Sequence, residues 1–169
     1  AGDRTVECGG SVVRGANQSS NTSNVVDAGG TLAIAGNGDT VNVVQMTSGS
    51  ITGSGGTLTS TTAFDMQGGS ASAILGGSAG LNATTGATTP SGVDSSTGPT
   101  AVSPGTLHVS GSIANSSLGV RGTGQLVAPA THRRLAGVQV TGGAVNDRRR
   151  TPDTGSAQPQ SGALRSALA

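Results

Sequence analysis

Apolar positions along this chain mostly alternate with polar ones, in runs so short that each soon meets glycine, asparagine, serine or proline. Thr31-Leu32-Ala33-Ile34-Ala35-Gly36 and Thr106-Leu107-His108-Val109-Ser110-Gly111 share one pattern: leucine, any residue, an aliphatic, then glycine shortly after. A period of two marks a strand with one buried face. Leu32 with Ile34, and Leu107 with Val109, are therefore expected to point inward, and His108 outward. The runs Val41–Met46, Ala63–Met66, Ser70–Ala73 and Leu118–Val120 read the same way, with turn residues between them. Helix is a poor alternative. Through residues 1–130 no window of twelve residues is free of Gly, Pro or a β-branched cluster, and the apolar spacing rarely returns at three and four.

The short strands repeat. Gly-Thr-Leu occurs at residues 30–32, 56–58 and 105–107, and Gly80-Leu81-Asn82 fills the gap between the second and third copies. The leucines then fall at 32, 58, 81 and 107, in nearly even steps. This spacing predicts a solenoid whose coil is about 25 residues long. Ser and Thr at outward positions would stack from coil to coil as hydroxyl ladders. The six prolines include Pro90, Pro99 and Pro104, so residues 88–104 read as a longer loop leaving the coil.

Composition narrows the fold further. Hydrophobic residues make up 33% of the 169, and the one aromatic is Phe64, too little for a conventional two-layer core. The thirty glycines add an entropic cost on ordering. Low hydrophobicity favours disorder, but disorder usually brings high net charge as well, and here 10% of residues are charged with a net of +1. A parallel β-solenoid, which closes a narrow interior coil against coil, fits better. The near-neutral balance argues against a dedicated nucleic-acid binder. The arginines at 133, 134, 148–150 and 165 read as a solvated tail. Cys8 is alone, so no intramolecular disulfide forms. No stretch is apolar enough for a membrane helix, and no signal peptide opens the chain.

The run from Thr97 to Ser116, with Gly105-Thr106-Leu107-His108-Val109-Ser110-Gly111-Ser112 at its centre, resembles the autotransporter-associated β-strand repeat. Residues 50–77, with Phe64-Asp65-Met66-Gln67-Gly68-Gly69-Ser70 and Ala73-Ile74-Leu75-Gly76-Gly77, look like the coil that commonly precedes it. The resemblance covers residues 29–127. It implies a right-handed parallel β-helix in the passenger of a large protein exported by type V secretion, where such stems act as stalks and many belong to adhesins. Asn82-Ala83-Thr84-Thr85-Gly86 and Pro90-Ser91-Gly92-Val93-Asp94 depart from the family wording. The residues after 128 do not read as a second clean repeat or as the alternating aromatic strands of a translocator barrel.

Candidate chemistry is sparse. Asp39 and Asp65, separated by the same step as Leu32 and Leu58, would stack one coil apart on the predicted period, at the spacing of a polysaccharide-cleaving carboxylate pair; two solvated acids is the favoured reading. Gly36-Asn37-Gly38-Asp39-Thr40-Val41 matches one unit of a calcium-binding nonapeptide array, but a single copy reads as a turn. His108 and His132 lack partners at metal-ligand spacing. No serine-nucleophile elbow, P-loop or dinucleotide fingerprint occurs. Asn17, Asn21, Asn82 and Asn115 head Asn-x-Ser/Thr sequons, which mean little in a bacterial host.

The chain is thus expected to be all-β, a segment of right-handed parallel β-helix with an irregular C-terminal tail. Residues 1–28 form a lead-in or partial coil, 29–127 the solenoid, 128–146 a last coil and 147–169 a disordered or weakly ordered tail. The expected role is that of a non-catalytic, adhesin-like passenger stalk at the cell surface or outside the cell, anchored through a barrel outside this chain. It takes no cofactor or metal and has no catalytic residue. Its partners are host or neighbouring-cell surface molecules and, through its ends, other solenoids; nucleic acid and membrane insertion are not expected. If it binds anything, residues 88–104 are the favoured place. The alternative from another class is a β-helix polysaccharide lyase or glycosidase.

Overall fold

A computed structural model describes residues 3–7, 10–12, 19, 21–113, 116–128 and 138–147. These residues form an all-β, parallel solenoid of about 6 turns, with no helix among them. The first strands are β1 (Arg4–Val6), β2 (Gly10–Val12), β3 (Val25–Ala35), β4 (Asp39–Gly53) and β5 (Thr57–Met66). They are followed by β6 (Gly69–Ala71), β7 (Ile74–Gly76), β8 (Gly80–Ala83), β9 (Ala87–Pro90), β10 (Val93–Asp94) and β11 (Thr100–Val102). The last are β12 (Thr106–His108), β13 (Ser112–Ile113), β14 (Leu118–Arg121), β15 (Gln125–Ala128), β16 (Val138–Thr141) and β17 (Ala144–Asp147).

The strands sort into three faces. Face A stacks β1, the start of β3, the middle of β4, the end of β5, then β8, β11, β14 and β16. Face B stacks β2, the end of β3, the end of β4, then β6, β9, β12, β15 and β17. Face C stacks the start of β4, the start of β5, then β7, β10 and β13. All these pairings are parallel, so each inner strand hydrogen-bonds to the coil before it and the coil after it. Residues 3–6 and 10–12 lie on the first coil, and 138–147 on the last described one. Cys8, His132 and residues 148–169 of the expected tail lie outside the described residues.

The structure corrects the expected coil length: the true coil is shorter. Down face A the successive partners are Val25, Val44, Phe64, Leu81, Thr100, Leu118 and Val138. No step in that column reaches the spacing of Leu32 and Leu58. The Gly-Thr-Leu leucines do not stack. Leu32 sits against Ile51, and Leu58 comes later, on face C. Leu58 sits against Leu75, and Leu81 follows on face A. Leu81 sits against Thr100, and Leu107 follows on face B. The step between triplets is one coil plus one face.

A second correction concerns residues 88–104. They carry β9, β10 and β11 in register with their neighbours, so no loop leaves the coil there. Proline is accommodated: Pro90 ends β9, and Pro104 follows β11.

Inward alternation closes the core as the pattern predicts. Leu32, Ile34, Leu107 and Val109 are all buried, while His108 between the last two is half-buried. Phe64, fully buried, lies between Val44 and Leu81 in the face A column. Interior width is small enough that single aliphatics from three faces fill it, which is why a chain so poor in aromatics has a core. Glycine is required where coils turn tightly from face A to face B. Gly49 and Gly69 have φ of 93° and 94°, in the left-handed region that disfavours side chains. A Cβ on Gly69 would also lie 2.4 Å from the Gly49 carbonyl oxygen.

Phe64→Ala removes the largest side chain of the stack. It is expected to destabilise the fold by about 3–5 kcal/mol, measured as a lowered midpoint in chemical denaturation.

Candidate functional site

The outward surface of face A carries the most organised polar chemistry. Asp65 points outward from β5, between Gln45 on one coil and Asn82 on the next. Its carboxylate accepts hydrogen bonds from Gln45 Nε2 at 3.2 Å, Gln67 Nε2 at 2.9 Å and Thr84 Oγ1 at 2.8 Å. The acid is thus the acceptor of a ladder across three coils. A second ladder follows the corner before face A. Asn24 donates Nδ2–H to Asp3 at 3.2 Å, Asn42 donates to Asn24 Oδ1 at 3.0 Å, and Thr62 donates to Asn42 Oδ1 at 2.6 Å. On face B, Thr31 and Ser50 hydroxyls meet at 3.1 Å, a rung of the hydroxyl stacking that the sequence suggests.

Further along face A the outward side chains shrink. Asn82 is followed by Ala101, Gly119 and then Gln139. Gly119 has nothing within 4 Å of where a Cβ would stand. The result is a shallow cavity of about 160 Å³, floored by Ala101 and Gly119. Pro99, Ser117 and Arg121 line it, and Gln139 stands over Gly119 one coil on. Arg121 is exposed at its edge. A guanidinium, an amide and a hydroxyl around a recess of this size suit a carboxylate or a hydroxyl-rich group. Sequence reasoning misses this recess. A signal is present, since Leu118-Gly119-Val120-Arg121 puts glycine at the outward position of a strand, but which residues flank it depends on the coil length.

The other acids are placed differently from the predicted pattern. Asp39 is not stacked with Asp65. It lies on face C, where its partner one coil on is Leu58, and it points inward, 3% exposed. Its Oδ1 accepts the backbone N–H of Ser19 and of Thr40, each at 3.1 Å. The carboxylate pair therefore does not form, because the step between the two acids carries the chain past one coil and onto another face. The Gly36–Val41 segment is the turn into β4, closed by the Asn37 N–H donating to the Ile34 carbonyl at 2.9 Å. Among the described residues no group of three His, Cys, Asp or Glu side chains is placed to hold a metal.

Two further acids are buried, a placement the sequence does not reveal. Asp27 is fully buried on face A, between Val6 and Met46. Burial pushes its carboxyl above the usual range, opposed by the backbone N–H groups of Gly30, Gly29 and Ser50. Asp94, 1% exposed, lies on face C between Leu75 and Ile113. Both leave Oδ2 without a hydrogen-bond partner. Strand alternation marks these positions as inward, yet an acid at an inward position reads from sequence as a solvated one.

Asp39→Ala unpairs two amide groups at a buried site and is expected to cost about 1–3 kcal/mol. Asp65→Ala, on the outer surface where water can replace the lost acceptor, is expected to cost less, about 1 kcal/mol. Denaturant titration of both variants against the parent checks the order.

Compared with known proteins, the chain matches no protein-family model, no curated protein and no solved structure.

Proposed function

We propose that the chain is a non-catalytic stalk segment, structural and adhesin-like, from the surface-exposed or secreted passenger of a bacterial autotransporter. The observation that carries this reading is the continuity of the stack. Faces A and B run through coil after coil, and the one segment expected to leave the coil is itself coil. At about 4.8 Å per rung, the roughly 6 turns extend the molecule by ~29 Å. What such a stack supplies is stiff, continuous length, added one rung per coil. The centre of the run that resembles the autotransporter repeat, Thr97 to Ser116, forms β12 in register with β9 and β15. That placement suits a repeat whose role is to continue a stack.

The non-catalytic part of the reading draws support from the acids. The pair on which a polysaccharide lyase or glycosidase would rely is split between two faces, and one member is buried. With no loop at 88–104, the adhesive surface falls to the recess beside Arg121. It would take acidic or hydroxyl-rich groups on a host or neighbouring cell.

The test is display. The chain is fused between an export signal and a translocator barrel in a Gram-negative host, and the intact cells are treated with protease. The stalk reading expects the chain on the outer surface, protecting its own coils while holding an N-terminal epitope accessible. Retention inside the cell would overturn it. So would cleavage of a polysaccharide panel by the purified chain that Asp39→Asn or Asp65→Asn abolishes.

A further inference from the structure

We propose that Asp94 makes its coil a proton-gated weak point in the stack, closed when the carboxyl is neutral and opening when it ionises. Asp94 occupies an inward position between Leu75 on one side and Ile113 on the other, three rungs from the nearest acid of its column, Asp39. Its Oδ1 accepts both the N–H and the hydroxyl of Ser96, whereas Oδ2 is buried with no partner. Among the described residues no counter-charge is at hand. Neither β7 nor β13, the strands packed against β10, carries a titratable residue. Across the same coil the buried polar residues are Thr88 and Thr100, both uncharged. Thr88 Oγ1 is likewise buried without a partner. Of the described arginines, Arg121 is exposed on face A, and Arg4 belongs to the first coil.

An ionised carboxylate in such a place is strongly disfavoured, and a neutral acid is tolerated. Burial accordingly pushes the Asp94 carboxyl above its ordinary 3.8, with the two Ser96 hydrogen bonds pulling the other way. Below the ordinary value both folded and unfolded chains hold the proton, and the coil has its full stability. As pH rises from the ordinary value towards the raised folded one, that stability is lost. For one proton the closing equilibrium weakens by up to about tenfold per pH unit across that window.

The loss is local because a solenoid is stabilised by contacts between neighbouring coils. Little resists opening at this point: β10 and β13 are two residues long each, and Val93 beside Asp94 is already 49% exposed. The gate would divide the stack around Phe64 from the coils that follow.

Hydrogen–deuterium exchange of the intact chain across pH 4 to 8, corrected for intrinsic rates, tests this. The expected result is that protection of peptides covering 93–113 falls by up to about tenfold per pH unit, while peptides covering 57–66 change less. Asp94→Asn should flatten that regional dependence. Asp27, three coils earlier, keeps its own effect in the variant, so the comparison is made within 93–113. Should Asp94→Asn not fold, Asp94→Leu, which repeats the residue at Leu75, and a carbon-13 titration of the Asp94 carboxyl in the parent chain give the same answer. Protection over 93–113 that ignores pH, a dependence unchanged in either variant, or a carboxyl titrating at or below the ordinary value would each overturn the proposal.

Discussion

The backbone ladder between coils is the interaction on which everything else in this protein rests. Each inner strand of faces A and B gives its N–H and C=O groups to the coils on both sides, so strands of three or four residues persist that would not survive alone. The ladder also brings successive coils to about 4.8 Å, and at that spacing one inward side chain per position fills the interior. A composition too poor in aromatics for an ordinary core therefore suffices. What the chain lacks in bulk it supplies by repetition.

The same ladder explains the demands on glycine and on polar residues. Where coils turn from face A to face B, backbones approach so closely that Gly69 could not carry a methyl group without meeting the Gly49 carbonyl. Outward positions repeat at the rung spacing, so Gln45, Asp65 and Thr84 come within hydrogen-bond reach on three separate coils. Inward positions repeat too, and that makes Asp27 and Asp94 costly: each is set between apolar neighbours with a carboxyl that finds partners for one oxygen only. The uniform solenoid is in this way given distinguishable coils.

Function, on this account, follows from a shape that varies slowly along its length. The proposed stalk would need continuity and reach, and residues 88–104, whose prolines suggest a projecting loop, instead continue the stack. Where the surface does change, it changes by subtraction, as outward side chains dwindle to Gly119 beside Arg121. The recess this leaves presents a guanidinium and an amide beside bare backbone, the chemistry on which the proposed adhesive role rests.

Alternation of period two and turn residues between runs are local properties, and the chain by itself determined them: all-β structure, with Leu32, Ile34, Leu107 and Val109 inside and His108 between the last two left partly exposed. Coil length is not local. It depends on which strand lies over which, a matter of hydrogen bonding between distant parts of the chain such as Leu81 and Thr100. The Gly-Thr-Leu triplets mark corners without saying whether they mark the same one. Reading their step as a full coil puts Asp39 over Asp65, whereas the folded chain puts them on different faces, one in and one out. Likewise prolines at 90, 99 and 104 look like a loop until the flanking coils show places where a strand can end or turn. The tertiary structure alone decided the coil length, the recess at Gly119 and the burial of Asp27 and Asp94, because each is set by what the neighbouring coils place against it.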